Sequence, residues 1–305
     1  MASASLNTTV GGIRLSSPLI AASGTVGSVW EWAEVADVDC FGAAVAKSVS
    51  AEPWAGRPVP RLAPTTTGML NGIGIQNPGI ESWVDAMAPH ISGSKVPIWG
   101  SAVGHTTAEY AKVAARLGEA GVPVVELNLS CPNLDDGEMF SFDPRRASSV
   151  VEECAGVSVV PVGAKLSPDT PDLVAVASAC LDAGAAFLTL TNTTGGFGVE
   201  PRSRRPLLSG GVGGYSGPGL KPVSLRCVYQ VASALPGAPI IGCGGISSAT
   251  DVFEYLIAGA SAVAIGTALL ETPNAGRRIA KDLEDGMGGL GVPTLSGLVG
   301  TVRPW

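Results

Sequence analysis

The chain has 305 residues, 46% of them hydrophobic and only 15% charged, which supplies apolar material for a large core and too little charge for disorder. A net charge of -7, with no basic run longer than Arg202-Ser203-Arg204-Arg205, excludes the clustered positive footprint that nucleic acid needs. The six cysteines, at 40, 131, 154, 180, 227 and 243, form no C-x-x-C pair, so neither zinc nor an iron–sulfur cluster is indicated and no metal site is expected. The first residues do not read as a secretory signal, and the longest charge-free apolar stretch, 255–270, is short for a membrane span and broken by Gly259, Gly266 and Thr267. A cytoplasmic, reducing compartment with free thiols is the expectation.

In chain order, 8–15 reads as a small hairpin around Gly11-Gly12, plugging the bottom of whatever follows. Apolar, β-branched runs predict strands at 18–22, 42–48, 96–101, 123–129, 161–166, 185–191, 239–242 and 262–266. Helices fit between and after them, at 28–37, 79–91, 106–120, 144–155, 170–183, 221–235, 248–258 and 274–285. Eight strands, each followed by a helix, is the count of a (β/α)8 TIM barrel filling 1–305 as one domain. The near-continuous apolar character of the strands suits parallel strands buried on both faces. An open doubly wound sheet is the alternative, but Gly24 and Gly27 after the first strand match G-x-G-x-x-G poorly. Two connections are unusually long, 49–78 and 192–220. Both leave C-terminal strand ends, where barrel enzymes put their chemistry.

Four groups of residues carry that chemistry. Gly242-Cys243-Gly244-Gly245 and Gly266-Thr267 follow the seventh and eighth strands. Glycines there admit a phosphate to backbone N–H groups, and they also serve plain tight turns. Lys47 and Lys165 each end an apolar run. A lysine so placed either meets an anion or snorkels at the rim. Asn128-Leu129-Ser130-Cys131-Pro132-Asn133 sets a thiol between two amides. A lone cysteine is commonly inert, whereas flanking amides imply a polar cavity. Asn71-Gly72-Ile73-Gly74-Ile75-Gln76-Asn77 and Thr191-Asn192-Thr193 bring further amides to strand ends, as turn chemistry or as a hydrogen-bonding pocket.

These segments, together with Lys47-Ser48, Gly214-Tyr215-Ser216-Gly217-Pro218 and Gly266-Thr267, resemble the class 1 dihydroorotate dehydrogenases, in order over nearly the whole chain. The resemblance implies an enzyme that oxidises (S)-dihydroorotate to orotate in pyrimidine biosynthesis, a flavoprotein with FMN as cofactor. It implies that Ser23, Lys47, Ser48, Asn128, Lys165, Thr191, Gly217, Gly244, Gly245, Gly266 and Thr267 surround FMN, with Ser101 standing where the family usually has Asn. It implies that Lys47, Asn71, Gly72, Ile73, Gly74, Ile75, Asn128, Asn133, Asn192 and Thr193 hold the substrate, and that Cys131 is the catalytic base. Gln76 before Asn77 resembles subclass 1B, whose members pair with a subunit carrying FAD and a 2Fe–2S cluster that passes electrons to NAD+. A homodimer within a heterotetramer is then expected. Dihydropyrimidine dehydrogenases share parts of the pattern, and subclass 1A enzymes reduce fumarate instead. A flavin- or phosphate-binding barrel without turnover is the non-enzyme alternative. The acidic run Asp135-Asp136-Gly137-Glu138 is unexpected beside a carboxylate substrate unless it is a solvated loop tip.

Overall fold

The computed structural model describes residues 6–130, 139–292 and 294–304. Eight parallel strands close into a barrel: Leu19–Ala21, Ala43–Val45, Ile98–Ala102, Val125–Asn128, Val162–Leu166, Phe187–Leu190, Ile240–Cys243 and Ala262–Ile265. Each lies within or across a predicted run, and closure comes from pairing of the eighth strand with the first, Val263 opposite Leu19. The hairpin Thr8–Val10 and Ile13–Leu15 also forms. Its Val10 and Leu15 join the same apolar cluster as the barrel interior, so it does close one end.

Helices Ile80–Ile91, Thr107–Glu119, Pro144–Val157, Leu173–Asp182, Lys221–Ala234, Ala249–Ala258 and Ala275–Leu290 cover the outside. Four begin on side-chain caps: Thr106, Asp143, Asp172 and Ser248 each accept from a backbone N–H of the first turn. The helix predicted over 28–37 shrinks to Trp30–Ala33, because Val29 enters at φ 69° with no side-chain cap to start a longer one. No helix of the described residues is long and apolar enough to cross a membrane.

Alternation along the strands positions the site. Ile20, Ala43, Val45, Trp99, Val124, Phe187, Ile241, Cys243, Ala262 and Ala264 pack together inside the barrel. Period two carries the same inward face on to Lys47, Ser101, Glu126 and Asn128, Lys165, Thr189 and Thr191, and Gly266. The interior is therefore apolar toward the hairpin and polar toward the C-terminal mouth. Phe187 fits because its neighbour is Gly163; a Cβ there would lie 2.2 Å from the ring.

The two long connections are not structureless. Leu62–Thr65 and Gly68–Asn71 from the first pair with Gly213–Ser216 and Thr194–Gly196 from the second, making a four-stranded antiparallel sheet. It stands on the C-terminal rim: Thr267 Oγ1 donates to Ser216 Oγ at 2.8 Å, and the Gly195 N–H donates to Asp169 at 2.7 Å. Sequence reading flagged both connections but none of these strands, since they are short, rich in Gly, Thr and Pro, and pair only with one another.

Candidate active site

At the mouth, polar side chains from five barrel strands form one hydrogen-bonded array. Ser23 Oγ donates to Ala46 O at 2.8 Å and lies 3.4 Å from Ser48 Oγ. Ser48 Oγ is 2.9 Å from Ser101 Oγ, and Asn128 Nδ2 donates to Ser48 Oγ at 3.3 Å. Asn192 Nδ2 reaches Asn128 Oδ1 at 3.2 Å and Ser130 Oγ at 2.6 Å. Its Oδ1 accepts the Thr193 N–H at 2.8 Å. Tyr110 OH holds the Asn128 carbonyl at 2.6 Å. The array brings Ser23, Ser48, Ser101, Asn128, Asn192 and Thr193 together as predicted neighbours. Ser101 is buried and spends its hydroxyl on Ser48, which a planar amide in its place would replace with a longer reach.

Asn71 comes to the same region through the excursion sheet. Its Nδ2 donates to Gly214 O at 3.2 Å, and a Cβ on Gly214 would sit 2.2 Å from Thr193 Oγ1 and 3.1 Å from Asn71 Nδ2. Gly72, Ile73 and Gly74 wrap Arg57, a residue the sequence reading missed. The Arg57 N–H donates to Ile73 O at 3.1 Å and its Nη1 to Val212 O at 2.8 Å, bolting the first long connection to the second. Ile75 adopts φ 53° before Gln76, which is exposed and accepts from Arg61. Asn77 belongs to the scaffold: its amide is buried on Ser50, Ile75 O and the Gly79 N–H. Cys131 and Asn133, with the acidic run 135–138, lie outside the described residues.

The glycine turns have the shape an anion needs. Gly244 and Gly245 adopt φ 135° and 69°. A Cβ on Gly245 would fall 2.6 Å from the Lys221 backbone nitrogen and 2.9 Å from Gly217 O, so side chains are excluded from this cradle. Helix Lys221–Ala234 begins there, and the short helix Thr267–Glu271 begins at Gly266; neither has a side-chain cap. Uncapped first-turn N–H groups beside glycine backbone that carries no side chain fit the phosphate of a bound cofactor. Asp251 accepts from the backbone N–H groups of Ser247 and Ser248 and from Lys221 Nζ at 2.6 Å, bracing both turns. Thr191 is held from the helix side, 2.7 Å from the buried Ser224 Oγ.

Lys165 is buried and does not snorkel at the rim. Its anion is supplied by the chain itself: Nζ lies 3.5 Å from Glu126 Oε1, with both side chains buried. Burial pushes the ammonium toward losing its proton, but the charge of Glu126 outweighs burial and holds it above the ordinary lysine range. The signal for Glu126 was present, a lone carboxylate inside the apolar run 123–129. The five described cysteines are free thiols. Burial pushes Cys154 and Cys180 up to about 12, which leaves them un-ionised and unreactive. Two clefts lie elsewhere, of about 630 Å3 near Thr8 and Arg14 and about 550 Å3 near Thr170 and Tyr229, and neither gathers the flagged residues.

A closed (β/α)8 barrel with a polar, glycine-cradled mouth at the C-terminal strand ends is the architecture of a barrel enzyme. The family model described as Dihydroorotate dehydrogenase matches residues 5–287. Dihydroorotate dehydrogenase B (NAD(+)), catalytic subunit, of Pelobacter propionicus is 44% identical over 294 residues, covering 96% of each chain. The protein of the same name from Citrifermentans bemidjiense is 41% identical over 300 residues, covering 98% of each. Among solved structures, dihydroorotate dehydrogenase of Eimeria tenella in complex with ferulenol superposes with a TM-score of 0.81 at 19% identity, over 97% of this chain and 88% of that one, a likeness of fold. The chain belongs to the dihydroorotate dehydrogenase family and is an oxidoreductase.

Proposed function

We propose that this protein is the catalytic subunit of an NAD+-linked dihydroorotate dehydrogenase. It oxidises (S)-dihydroorotate to orotate with FMN, in the cytoplasm, as one barrel domain over 1–305. The carrying observation is the mouth array from Ser23 to Asn192 beside the Gly244-Gly245 cradle, in a chain that aligns almost end to end with proteins bearing that name.

Bound FMN would supply a hydride acceptor. Everything else falls to the chain. Backbone N–H groups at Gly244, Gly245 and Thr267 hold the phosphate, and Ser48, Ser101, Asn128, Lys165 and Thr191 line the ring system. Asn71, Asn128, Asn133, Asn192 and Thr193 present amide and hydroxyl groups that match the carbonyl and N–H edges of a dihydropyrimidine, with Lys47 toward its carboxylate. Cys131, three positions after Asn128 in the sequence, takes the C5 proton. Electrons leave through a second subunit carrying FAD and a 2Fe–2S cluster, and the catalytic chain forms a homodimer within that assembly. The names of the relatives, a catalytic subunit with NAD(+), support the separate electron-transfer subunit.

The test is anaerobic titration of the purified protein. Yellow protein that bleaches with dihydroorotate, and reduces NAD+ only when the second subunit is added, is the expected result. Bleaching with dihydrouracil instead moves the substrate to a related pyrimidine. Efficient fumarate reduction by the chain alone overturns the partner, and failure to take up FMN overturns the whole reading.

A further inference from the structure

Glu126 and Lys165 form a buried ion pair beneath the mouth. Their side chains are 3% and 8% exposed, and Thr189 Oγ1 donates to Glu126 Oε2 at 2.7 Å. Glu126 Oε1 has no hydrogen-bond partner among the described residues beyond its ion-pair approach to Lys165. Toward the hairpin the interior is apolar, with Val124, Trp99 and Phe187 along the same inward faces. A pair so placed is a poor source of stability, because apolar residues of similar volume would serve the core as well or better. Its reason has to lie in the site above it.

We propose that Glu126 is a positioning residue, a built-in counter-ion that fixes Lys165 as a permanent cation in the floor of the flavin site. The proposal rests on the flavin reading given above. Lys165 occupies the penultimate position of the fifth strand, paired in register with Asn128 on one side and Thr189 on the other. Glu126 is one inward step deeper than Asn128 on the fourth strand, so it addresses the ammonium from beneath and leaves the upper side for a ligand. Among the described residues, the titratable groups acting on Lys165 are Glu126 and, from the seventh strand, Cys243. Burial pushes the Cys243 thiol up, so it stays neutral and leaves Glu126 as the charge that matters. Without that carboxylate, the lysine would depend on its ligand for its proton, and cofactor binding would be coupled to pH.

The experiment compares wild type with Glu126→Gln. FMN dissociation constants are measured by flavin fluorescence from about pH 6.5 to about pH 9.5. In wild type they should change by less than about two-fold, and in the variant they should weaken by about ten-fold or more as Lys165 deprotonates. Parallel profiles overturn the proposal.

A second measurement needs no flavin: the melting temperature of the apoprotein against pH. In wild type the folded state holds the Lys165 proton more tightly than the unfolded state. That contribution is complete below the ordinary lysine range and is lost above it. In the variant burial acts alone, the unfolded state binds the proton more tightly, and stability rises with pH. The variant's melting deficit should therefore shrink as pH rises from about 7 to about 10, and a deficit independent of pH overturns the proposal. If Glu126→Gln does not fold, the double variant Glu126→Gln/Lys165→Met decides. A folded double variant identifies the unpaired ammonium as the fault and supports the proposal, and an unfolded one overturns it. Wild type that takes up no FMN defeats the flavin reading instead, and the melting comparison still judges the pair.

Discussion

The two ends of the barrel interior are built on the same strands by the same alternation, yet they hold different chemistry. Toward the hairpin, Val10, Leu15, Ile20, Trp99, Val124 and Phe187 pack into a dry plug. Toward the mouth, the next inward residues are Ser101, Glu126, Asn128, Lys165, Thr189 and Thr191, all hydrogen bonded or ion paired. One end contributes stability by removing apolar surface from water. The other leaves polar groups buried and holds them with partners, as a ligand site requires. A change in the plug should lower melting temperature and leave ligand binding alone, whereas a change at the mouth should move ligand binding, with a melting cost only where it leaves a buried charge unpaired.

The largest effect belongs to the proposed base. Cys131→Ser should keep FMN and still bind orotate while flavin reduction slows by about 10^2–10^4-fold, the usual contribution of a positioned base. Stopped-flow reduction at the wild-type rate near neutral pH would remove Cys131 from the mechanism. Next comes the plug. Phe187→Ala empties the space that Gly163 leaves for the ring, and should cost about 3–5 kcal/mol in denaturant unfolding, with the FMN dissociation constant unchanged. A variant that lost FMN affinity in proportion would erase the division between the two ends. Gly245→Ala places a Cβ 2.6 Å from the Lys221 nitrogen at φ 69°. It should weaken FMN binding by roughly 1–3 kcal/mol, read by fluorescence titration. Equal affinity in that variant would move the phosphate away from this cradle. The smallest effect is Ser101→Ala, which removes one hydrogen bond to Ser48 and should cost about 0.5–1.5 kcal/mol in cofactor affinity. Ser101→Asn then asks whether the amide usual in the family improves on the hydroxyl.

The barrel was legible because its eight strands are apolar runs separated by helical patterns, a signal that depends only on neighbouring residues. The hairpin and the glycine turns after the seventh and eighth strands were legible for the same reason. The excursion sheet was not, because Gly68–Asn71 and Gly213–Ser216 have no alternation of their own and are strands only through pairing with other segments of the two connections. The site was readable where an amide, lysine or glycine closes an apolar run, as at Asn128, Lys165 and Gly245. It was less readable where a partner arrives from elsewhere. Ser224 reaches Thr191 from a helix, Arg57 crosses between two connections, and Glu126 pairs with Lys165 from the neighbouring strand.

The excursion sheet also sets an order on how the molecule comes into being. Asn71 meets Gly214 across 143 positions of chain, so that sheet cannot be completed until the first six barrel strands and the helices between them have been made. Contacts of such long sequence separation form slowly, because the intervening chain must be ordered before they add anything. A nascent chain stopped after the sixth strand, at Leu190, would carry most of the barrel wall and the residues from Ser23 to Lys165, but Gly68–Asn71 would have only Leu62–Thr65 to pair with. The part of the mouth that carries Asn71 is thus completed only when the second connection arrives, and the glycine turns after the seventh and eighth strands follow later still.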